Sequence, residues 1–286
     1  MKKRSIIILL SCLLLLACLI LPGFYNALKV VTYRLPVEGA GGTVRIALVT
    51  DLHSCAYGAG MKTLLDALDA QTPDLVLLGG DIFDDVLPDD NTETFLRGIG
   101  EKYPCYYVTG NHEYRSGAEA FARKMAILES CGVSRLSGEA AEMTIHGLRL
   151  CVCGVDDPDA WRVGRTFDPH VENSFSAQLA GVSALADPDA YNILLTHRPE
   201  FFGDYCGLGF DLVLVGHAHG GQWRIPGILN GLLAPNQGLF PKLAGGQYER
   251  DGTVMIISRG LARESTRVPR WYNRPELVII DLVTPS

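Results

Sequence analysis

Apolar and β-branched residues occur in short continuous runs along most of the chain, and polar or glycine-rich segments separate the runs. Runs of this length predict β-strands, and continuous rather than alternating apolar residues predict sheets that are covered on both faces. The predicted strands lie at residues 43–50, 74–80, 105–110, 148–155, 191–196, 211–216, 253–258 and 277–283.

Between the early strands the apolar period changes to that of a helix. Met61, Leu64, Leu65 and Leu68 recur on one face and predict an amphipathic helix with one buried stripe. A second helix is predicted over residues 118–130, because Gly132 follows as a suitable C-terminal cap.

Strands that alternate with helices predict an α/β fold. Nothing resembling a linker interrupts residues 43–286, so we expect a single domain there. Residues 23–42, which end in the turn-rich sequence EGAGG, are expected to form a connector.

The N-terminus differs in kind from the rest of the chain. Lys2, Lys3 and Arg4 precede an uncharged apolar run at residues 5–21, whose length is near the lower limit of about 17 residues for spanning a bilayer. We expect residues 1–22 to form a single-pass anchor, with the basic residues in the cytoplasm and the remaining chain outside. A cleaved signal peptide is the alternative, although no small-residue cleavage site follows the run.

Composition restricts the partners. The 286 residues carry a formal net charge of -7, so the chain lacks the basic footprint of a nucleic-acid-binding protein and no nucleic-acid partner is expected. Of the eight cysteines, Cys12 and Cys18 lie in the predicted anchor. The other six form no C-x-x-C pair, and they either form disulfides or pack in the core. Cys151 and Cys153 alternate along one predicted strand and should share a face of its sheet.

Five polar stretches begin where predicted strands end. In chain order they are DLH at 51–53, GDIFD at 80–84, GNHE at 110–113, TH at 196–197 and GHAH at 216–219. They contain five of the seven histidines. Ligands of open α/β sheets gather outside the carboxyl ends of the strands, so the five stretches are expected to converge on one place.

Carboxylates, imidazoles and an amide, without thiolates, favour divalent cations of intermediate hardness. In D-x-H and H-x-H on extended backbone, both side chains point to the same side, because alternation has period two. Asp81 carries two oxygens and is able to bridge two ions. Each motif alone is weak, since an isolated histidine is more often structural and a Gly-Asp pair after a strand is commonly a turn. Their order and shared placement together predict a site for two divalent cations, with Mn, Fe, Zn and Mg left open.

D-x-H, GD-x-x-D, GNH[DE], a later H and GH-x-H in this order resemble the calcineurin-like metallophosphoesterase superfamily over residues 43–286. The resemblance implies a four-layer α/β/β/α sandwich of two mixed sheets. It implies a first ion held by Asp51, His53, Asp81 and His219, and a second held by Asp81, Asn111, His197 and His217. It further implies that His112 is a catalytic histidine that binds no metal and faces the substrate phosphate.

One departure from the superfamily pattern is informative. Its protein phosphatases continue the second motif as GD-x-x-DRG, whereas this chain has Asp85 and Val86 in place of the arginine and glycine. A protein phosphatase is therefore disfavoured. GHAHGGQWRIPG, the arginine-rich segment after residue 258 and the N-terminal anchor resemble the bacterial membrane-associated branch, which includes phosphodiesterases and UDP-2,3-diacylglucosamine hydrolases. The resemblance implies a location at the bacterial cell membrane.

These features predict a phosphoesterase that cleaves a phosphodiester or pyrophosphate bond by attack of a hydroxide bridging two metal ions. The expected substrate is membrane-associated or lipid-linked, such as a UDP-diacylglucosamine-like molecule. His112 would either stabilise developing charge or protonate the leaving oxygen, and Asp84 or Glu113 would orient such groups. The alternatives are a non-catalytic metal-binding sensor or scaffold, and a metallohydrolase acting on acyl substrates.

Two further segments are candidates for substrate contact. Arg259 and Arg263 begin a series that continues with Arg267, Arg270 and Arg274, and such a local excess of positive charge suits a phosphate or an anionic headgroup. An exposed loop or packed side-chain stems would explain it equally well. The long apolar, glycine-rich segment at 227–246 would either touch acyl chains or pack over the core.

Overall fold

The computed structural model describes residues 2–39, 41–171, 174–264 and 268–285. The α-helices in these ranges are α1 (Lys2–Ile20), α2 (Lys62–Asp69), α3 (Asp90–Gly100), α4 (Asn111–Arg115), α5 (Ala118–Ser130), α6 (Asp159–Arg162), α7 (Phe175–Ser183) and α8 (Phe202–Tyr205). The strands are β1 (Lys29–Pro36), β2 (Val44–Val49), β3 (Leu75–Gly79), β4 (Cys105–Val108), β5 (Ser134–Arg135), β6 (Ala140–Ile145), β7 (Leu148–Gly154), β8 (Tyr191–Leu195), β9 (Leu212–Val215), β10 (Leu233–Ala234), β11 (Gly238–Leu239), β12 (Gly246–Arg250), β13 (Thr253–Ile257) and β14 (Glu276–Val283).

Two six-stranded mixed sheets organise the described chain. The first has the order β1-β14-β2-β3-β4-β5, in which only β14 and β2 pair antiparallel. The second has the order β12-β13-β9-β8-β7-β6, in which β13, β9, β8 and β7 are parallel and both outer strands are antiparallel to their neighbours. A short hairpin of β10 and β11 stands apart from both sheets.

The two sheets pack face to face, with helices on both outer faces. Along β2, Ile46 and Leu48 point toward the second sheet and share a core with Ile193 of β8. Ala47 and Val49 point the other way, into a core with the helices α2, α3 and α5. The outer face of the second sheet is covered mainly by α7 and α8. The expected α/β/β/α sandwich is therefore confirmed, and the strands are apolar on both faces because both faces are buried.

All eight predicted strands and both predicted helices are present, and Cys151 and Cys153 lie side by side on the face that packs under α7. Their Sγ atoms are 3.8 Å apart, and both cysteines are free thiols. The stretch expected to be a connector differs, because it contains β1. β1 pairs with β14 over eight residues and extends the first sheet by one strand. β1 mixes polar and apolar residues that are mostly half-buried or exposed, as is usual at the edge of a sheet. A search for continuous apolar runs therefore does not detect it.

The N-terminal helix carries a segment, Ile6–Phe24, that is long and apolar enough to cross a membrane by length and composition. Its apolar side chains are largely exposed. The helix ends in a 3-10 turn at Leu21–Phe24, where Pro22 stands in the first turn.

Candidate metal centre

The five polar stretches converge at one edge of the sandwich. Asp51, Asp81 and Asn111 follow the carboxyl ends of β2, β3 and β4, which are parallel neighbours in the first sheet. His197 and His217 follow β8 and β9, which are parallel neighbours in the second sheet. Because the sheets face each other, the two rows of strand ends meet.

The seven expected ligands fall into two adjoining groups. Asp51, His53 and His219 are buried and present ligand atoms within 4.8 Å of one another. Asp81, His197 and His217 form a second buried group by the same measure. The Asn111 amide lies with the second group, 2.9 Å from Nδ1 of His217.

Asp81 lies between the two groups. Its Oδ2 is 3.1 Å from Nε2 of His197 in the second group and 3.6 Å from Nε2 of His53 in the first. The side chain is 1% exposed, so both oxygens are shielded from water. A carboxylate in this position is able to act as a metal ligand together with either group.

The donor set fits divalent cations. Among the described residues, Nε2 of His53, Oδ2 of Asp81 and Nδ1 of His219 are buried and lack a hydrogen-bond partner. Buried polar atoms are normally paired, so three unpaired buried atoms in one small cluster fit residues that bind a cation. Imidazole nitrogens with carboxylate and amide oxygens suit Mn, Fe or Zn, and thiolates are absent from the cluster.

The backbone at the site is held in a sparsely populated conformation. Asp51, His53, Asp81, His217 and His219 all have φ between 47° and 64°. Non-glycine residues in this region cost about 1–3 kcal/mol each and persist where the surrounding structure over-determines them. This concentration of strain at strand ends aims the side chains inward, and it is not readable from the residue types.

Glycine beside the ligands makes room for them. A Cβ on Gly216 would lie 2.3 Å from Oδ2 of Asp51, and one on Gly110 would lie 2.2 Å from Oδ1 of Asp81. Both distances are far below van der Waals contact. The glycine that precedes His217 and the glycine that precedes Asn111 are therefore required because the backbone passes directly against a ligand carboxylate.

Glu113 holds the loop that carries Asp81. Its Oε1 accepts hydrogen bonds from the backbone N–H groups of Ile82 and Phe83 at 2.9 and 3.1 Å, and its Oε2 accepts from Asp81 and Gly110 at 3.2 and 2.8 Å. The carboxylate is fully buried. It therefore fixes the loops after β3 and β4 relative to each other.

Outer hydrogen bonds set the direction of the imidazoles. Oδ1 of Asp84 lies 3.0 Å from Nδ1 of His53, and the carbonyl of Gly79 lies 2.8 Å from Nδ1 of His197. Both rings consequently direct Nε2 into the cluster, as expected for histidines that bind metal. Arg198 lies 3.3 Å from Nε2 of His217, which leaves Nδ1 of that ring facing the cluster.

The charges in the cluster suit cation binding. Burial pushes the pKa of Asp81 upward, but the neighbouring His197 and His112 outweigh it and hold that pKa well below its usual range. Burial and the positive charge of His197 lower the pKa of His217, and burial also lowers that of His219, so both rings are neutral. Burial opposes protonation of His197, but Asp81 raises its pKa to about 10. A metal cation that binds His197 must therefore displace one proton from its ring.

His112 lies at the boundary between the cluster and solvent. Its ring meets that of His53 edge to face at 4.3 Å, and its side chain is 24% exposed. Nδ1 is 2.6 Å from Oδ1 of Asp85 and 3.5 Å from Oδ1 of Asp84. Burial lowers the pKa of His112, but the surrounding carboxylates of Asp81, Asp84 and Asp85 raise it to about 9. These carboxylates therefore favour the protonated form of the ring at neutral pH.

A cleft of about 530 Å³ opens in front of His112. Its lining combines His53, His112, His219, Asp84, Asp85, Arg115 and Gln222 with the apolar residues Val86, Leu233, Ala234, Pro235 and Val268. Part of the 227–246 segment therefore borders the cleft, through β10.

The four described arginines of the series do not line this cleft. Arg259 lines a separate cavity, and Arg263 stacks over the ring of Tyr57 at 4.7 Å. Arg270 is fully buried and donates to the carbonyls of Ala262 and Gly260, so it braces its own loop. The Arg274 guanidinium donates to two carbonyls just before β1, and Arg267 lies outside the described residues.

Three supporting residues went unrecognised in the sequence. Asp85 pairs with His112, Arg198 touches His217, and Asp157 forms an ion pair with Arg198. Asp85 and Arg198 stand directly beside motif residues, and this adjacency is the signal available for them. Asp157 follows β7 by three residues and carries no motif of its own.

Comparisons with known proteins agree with this geometry. Residues 44–221 match the family model described as calcineurin-like phosphoesterase. An uncharacterized metallophosphoesterase of Aquifex aeolicus is 28% identical over 281 residues, which span 92% of this chain and 97% of that protein. The uncharacterized protein YpbG of Bacillus subtilis is 27% identical over 269 residues, 91% of this chain and 89% of YpbG.

Other similar proteins are longer than this chain. It spans 38% of a Caenorhabditis elegans relative that is 28% identical over 193 residues, 65% of this chain. The structure of the Haemophilus influenzae NAD nucleotidase NadN superposes with a TM-score of 0.52 at 17% identity, covering 77% of this chain and 46% of NadN, and this likeness concerns the fold. With the family model covering more than half of its length, the chain belongs to the calcineurin-like phosphoesterase family, a family of metal-dependent phosphoesterases.

Proposed function

We propose that the chain hydrolyses a phosphodiester or pyrophosphate bond in a membrane-associated, lipid-linked substrate, using two divalent cations held by the seven buried side chains. The observation that carries the proposal is the pair of ligand groups joined by Asp81, with a cationic histidine at their open side. Such a pair of cations supplies Lewis acidity and an activated water at neutral pH.

In this proposal some residues of the chain bind the cations and others hold the binding residues in place. Asp51, His53 and His219 would hold one cation, Asn111, His197 and His217 would hold the other, and Asp81 would be shared. Glu113 and Asp84 keep the loops and the His53 ring in place, since their hydrogen bonds leave little freedom. Preorganised charge of this kind acts without reorganisation during the reaction.

His112 is the residue proposed to act on the substrate directly. It reaches the cleft while its Nδ1 is tied to Asp85, so Nε2 is the nitrogen free to face a phosphoryl oxygen. A cationic ring there stabilises charge that builds on the phosphoryl group, and it has a proton for the leaving oxygen.

Two features of the cleft support a lipid-linked phosphodiester or pyrophosphate. Val86, Leu233 and Val268 present exposed apolar surface at its border, which suits an acyl or other hydrophobic group. Asp85 adds negative charge where protein phosphatases carry an arginine, and this disfavours the doubly charged phosphate of a monoester. The anchor α1 would place this cleft near a bacterial membrane, on its extracytoplasmic side by the charge at residues 2–4.

The test is a hydrolysis panel with metal-stripped full-length protein. Bis-p-nitrophenyl phosphate, p-nitrophenyl phosphate, a nucleotide-sugar lipid precursor and an acyl ester are offered after addition of Mn, Fe, Zn or Mg. We expect metal-dependent cleavage of the diester and the lipid precursor. Cleavage of the acyl ester alone, or of no phosphate ester with any metal, would refute the proposal.

His112→Ala separates catalysis from metal binding. It should lower kcat about 10²–10⁴-fold, the usual contribution of a general acid or base, while metal content stays unchanged. His146→Ala is the matched control, because the His146 side chain is 51% exposed and its ion-pair partner is Asp74, outside the cluster. Equal rates for His112→Ala and the control would remove His112 from the reaction.

A further inference from the structure

A second cavity, of about 420 Å³, lies apart from the catalytic cleft. It is lined by residues 224–230 together with Arg259 and Tyr272. Its lining shares no residue with the cleft in front of His112.

Two guanidinium groups face this cavity with little negative charge to balance them. Arg224 donates to the carbonyl of Gly220 at 3.2 Å and to the side chain of Asn230, and no carboxylate of the described residues lies within 4.0 Å of it. Arg259 has Glu276 at 3.5 Å from its Nε, and that Nε lacks a hydrogen bond. Burial and the charge of Arg259 lower the pKa of Arg224 to about 10. The buried carboxylate of Glu276 is therefore the one negative charge near the two guanidinium groups among the described residues.

The cavity adjoins the place where α1 ends. Tyr272, which lines the cavity, donates its hydroxyl to the carbonyl of Leu19 at 2.6 Å. Nε1 of the neighbouring Trp271 donates to the carbonyl of Ile20 at 3.0 Å. A Cβ on Gly23 would lie 2.2 Å from the Trp271 ring, so helix end and domain are in close contact. If α1 crosses a bilayer, the cavity lies at the depth of the headgroups.

The rim of the cavity is apolar and aromatic. Ile228 is 83% exposed, and Ile225 and Trp223 are partly exposed beside it. Trp223 also contacts Trp271, 5.9 Å between ring centroids. Tryptophan and tyrosine with basic residues at a helix end are typical of a membrane–water interface. An exposed isoleucine beside two arginines suits a surface with both charged headgroups and acyl chains.

The geometry points to a lipid site: the cavity between Arg224 and Arg259 binds the phosphate of an anionic phospholipid of the bilayer that α1 crosses. Arginine is suited to this ligand because its fork of N–H donors pairs with phosphate oxygens bidentately. The position at the helix end and the apolar rim favour a lipid phosphate over free inorganic phosphate. The site is separate from the proposed hydrolysis and does not require it.

The test measures lipid binding, not turnover, on full-length protein in detergent. Native mass spectrometry counts phosphatidylglycerol and phosphatidylcholine bound at matched concentrations. We expect phosphatidylglycerol to bind at least about tenfold more tightly, a difference of about 1.4 kcal/mol, and expect R224Q/R259Q to remove this preference. R250Q is the matched control, because Arg250, the last residue of β12, is exposed and pairs with the following Asp251. R224Q alone serves if the double variant unfolds, since the Arg224 side chain bonds only the Gly220 carbonyl and the Asn230 amide among the described groups.

Three outcomes would overturn the lipid site. One is equal binding of the two lipids by the wild type, and another is an unchanged preference in R224Q. The third comes from an arm with inorganic phosphate: if phosphate raises Tm in the wild type but not in R224Q, while phosphatidylglycerol has no effect, the cavity is a free-phosphate site.

Discussion

Replacing Glu113 by glutamine exchanges one carboxylate oxygen for an NH2 group at almost constant volume. In the wild type each oxygen accepts two backbone N–H groups, from Ile82 and Phe83 on one side and from Asp81 and Gly110 on the other. The amide oxygen of glutamine is able to serve one of these pairs. The other pair then faces an NH2 donor and loses its acceptor, whichever way the amide is turned.

The cost follows from the two N–H groups left without an acceptor. A buried donor without a partner costs about 1–3 kcal/mol, which gives about 2–6 kcal/mol for the pair. Burial and the nearby Asp81 raise the pKa of Glu113, so a neutral side chain recovers part of this. We therefore expect a loss of about 2–3 kcal/mol, and a fall in Tm of about 4–12 °C for a domain of this size. The loosened loops should also weaken metal binding about 10–100-fold.

Differential scanning fluorimetry gives the change in Tm, and titration with Mn monitored by calorimetry gives the metal affinity. E142Q is the matched control, since Glu142 is exposed on the edge strand β6. If E113Q melted within about 2 °C of E142Q and bound Mn equally well, Glu113 would not hold the two loops together.

Three other perturbations have defined outcomes. D85N should shift the alkaline limb of the kcat/KM profile to lower pH, because it removes one of the carboxylates that raise the pKa of His112 to about 9. An unchanged limb would show that Asp85 does not act on this ring. Burial raises the pKa of Asp156, but Arg135 and hydroxyl donors outweigh it and hold that pKa below its usual range. The stability contributed by Asp156 is therefore complete above its unfolded pKa of about 3.9 and is lost as pH falls below it. D156N should lower Tm at pH 7 and flatten the dependence of Tm on pH below 4. Parallel profiles of Tm against pH for D156N and the wild type would refute this. Metal removal by a chelator should lower Tm reversibly, by the equivalent of about 2.7 kcal/mol for each cation whose concentration had been a hundredfold its Kd, and an unchanged Tm would speak against a bound cation.

The architecture was readable from the sequence where strands are buried on both faces. Runs such as residues 211–216 and 277–283 contain many adjacent apolar residues over the length of one strand, and each forms a strand. The edge strands β1, β6 and β12 were missed, because one face of an edge strand meets solvent and its polar residues break the run. β1 therefore read as part of a connector.

The site was readable as residue types and order, but its supports were not. Carboxylates and histidines after five strand ends predict a cluster, and the fold brings these side chains together. The left-handed backbone at His53 and His219 and the four hydrogen bonds to Glu113 depend on tertiary contacts that no local pattern encodes. The arginine series shows the opposite case, since its excess of charge is visible in the sequence, whereas the positions of Arg259 and Arg270 outside the cleft are not.

A crystal of the full chain grown with Mn and measured at the Mn absorption edge tests the central claim directly. Two anomalous peaks about 3.5–4 Å apart are expected, one beside Asp51, His53 and His219 and one beside Asn111, His197 and His217, with Asp81 touching both. A single peak, or peaks away from these side chains, would contradict a dinuclear centre.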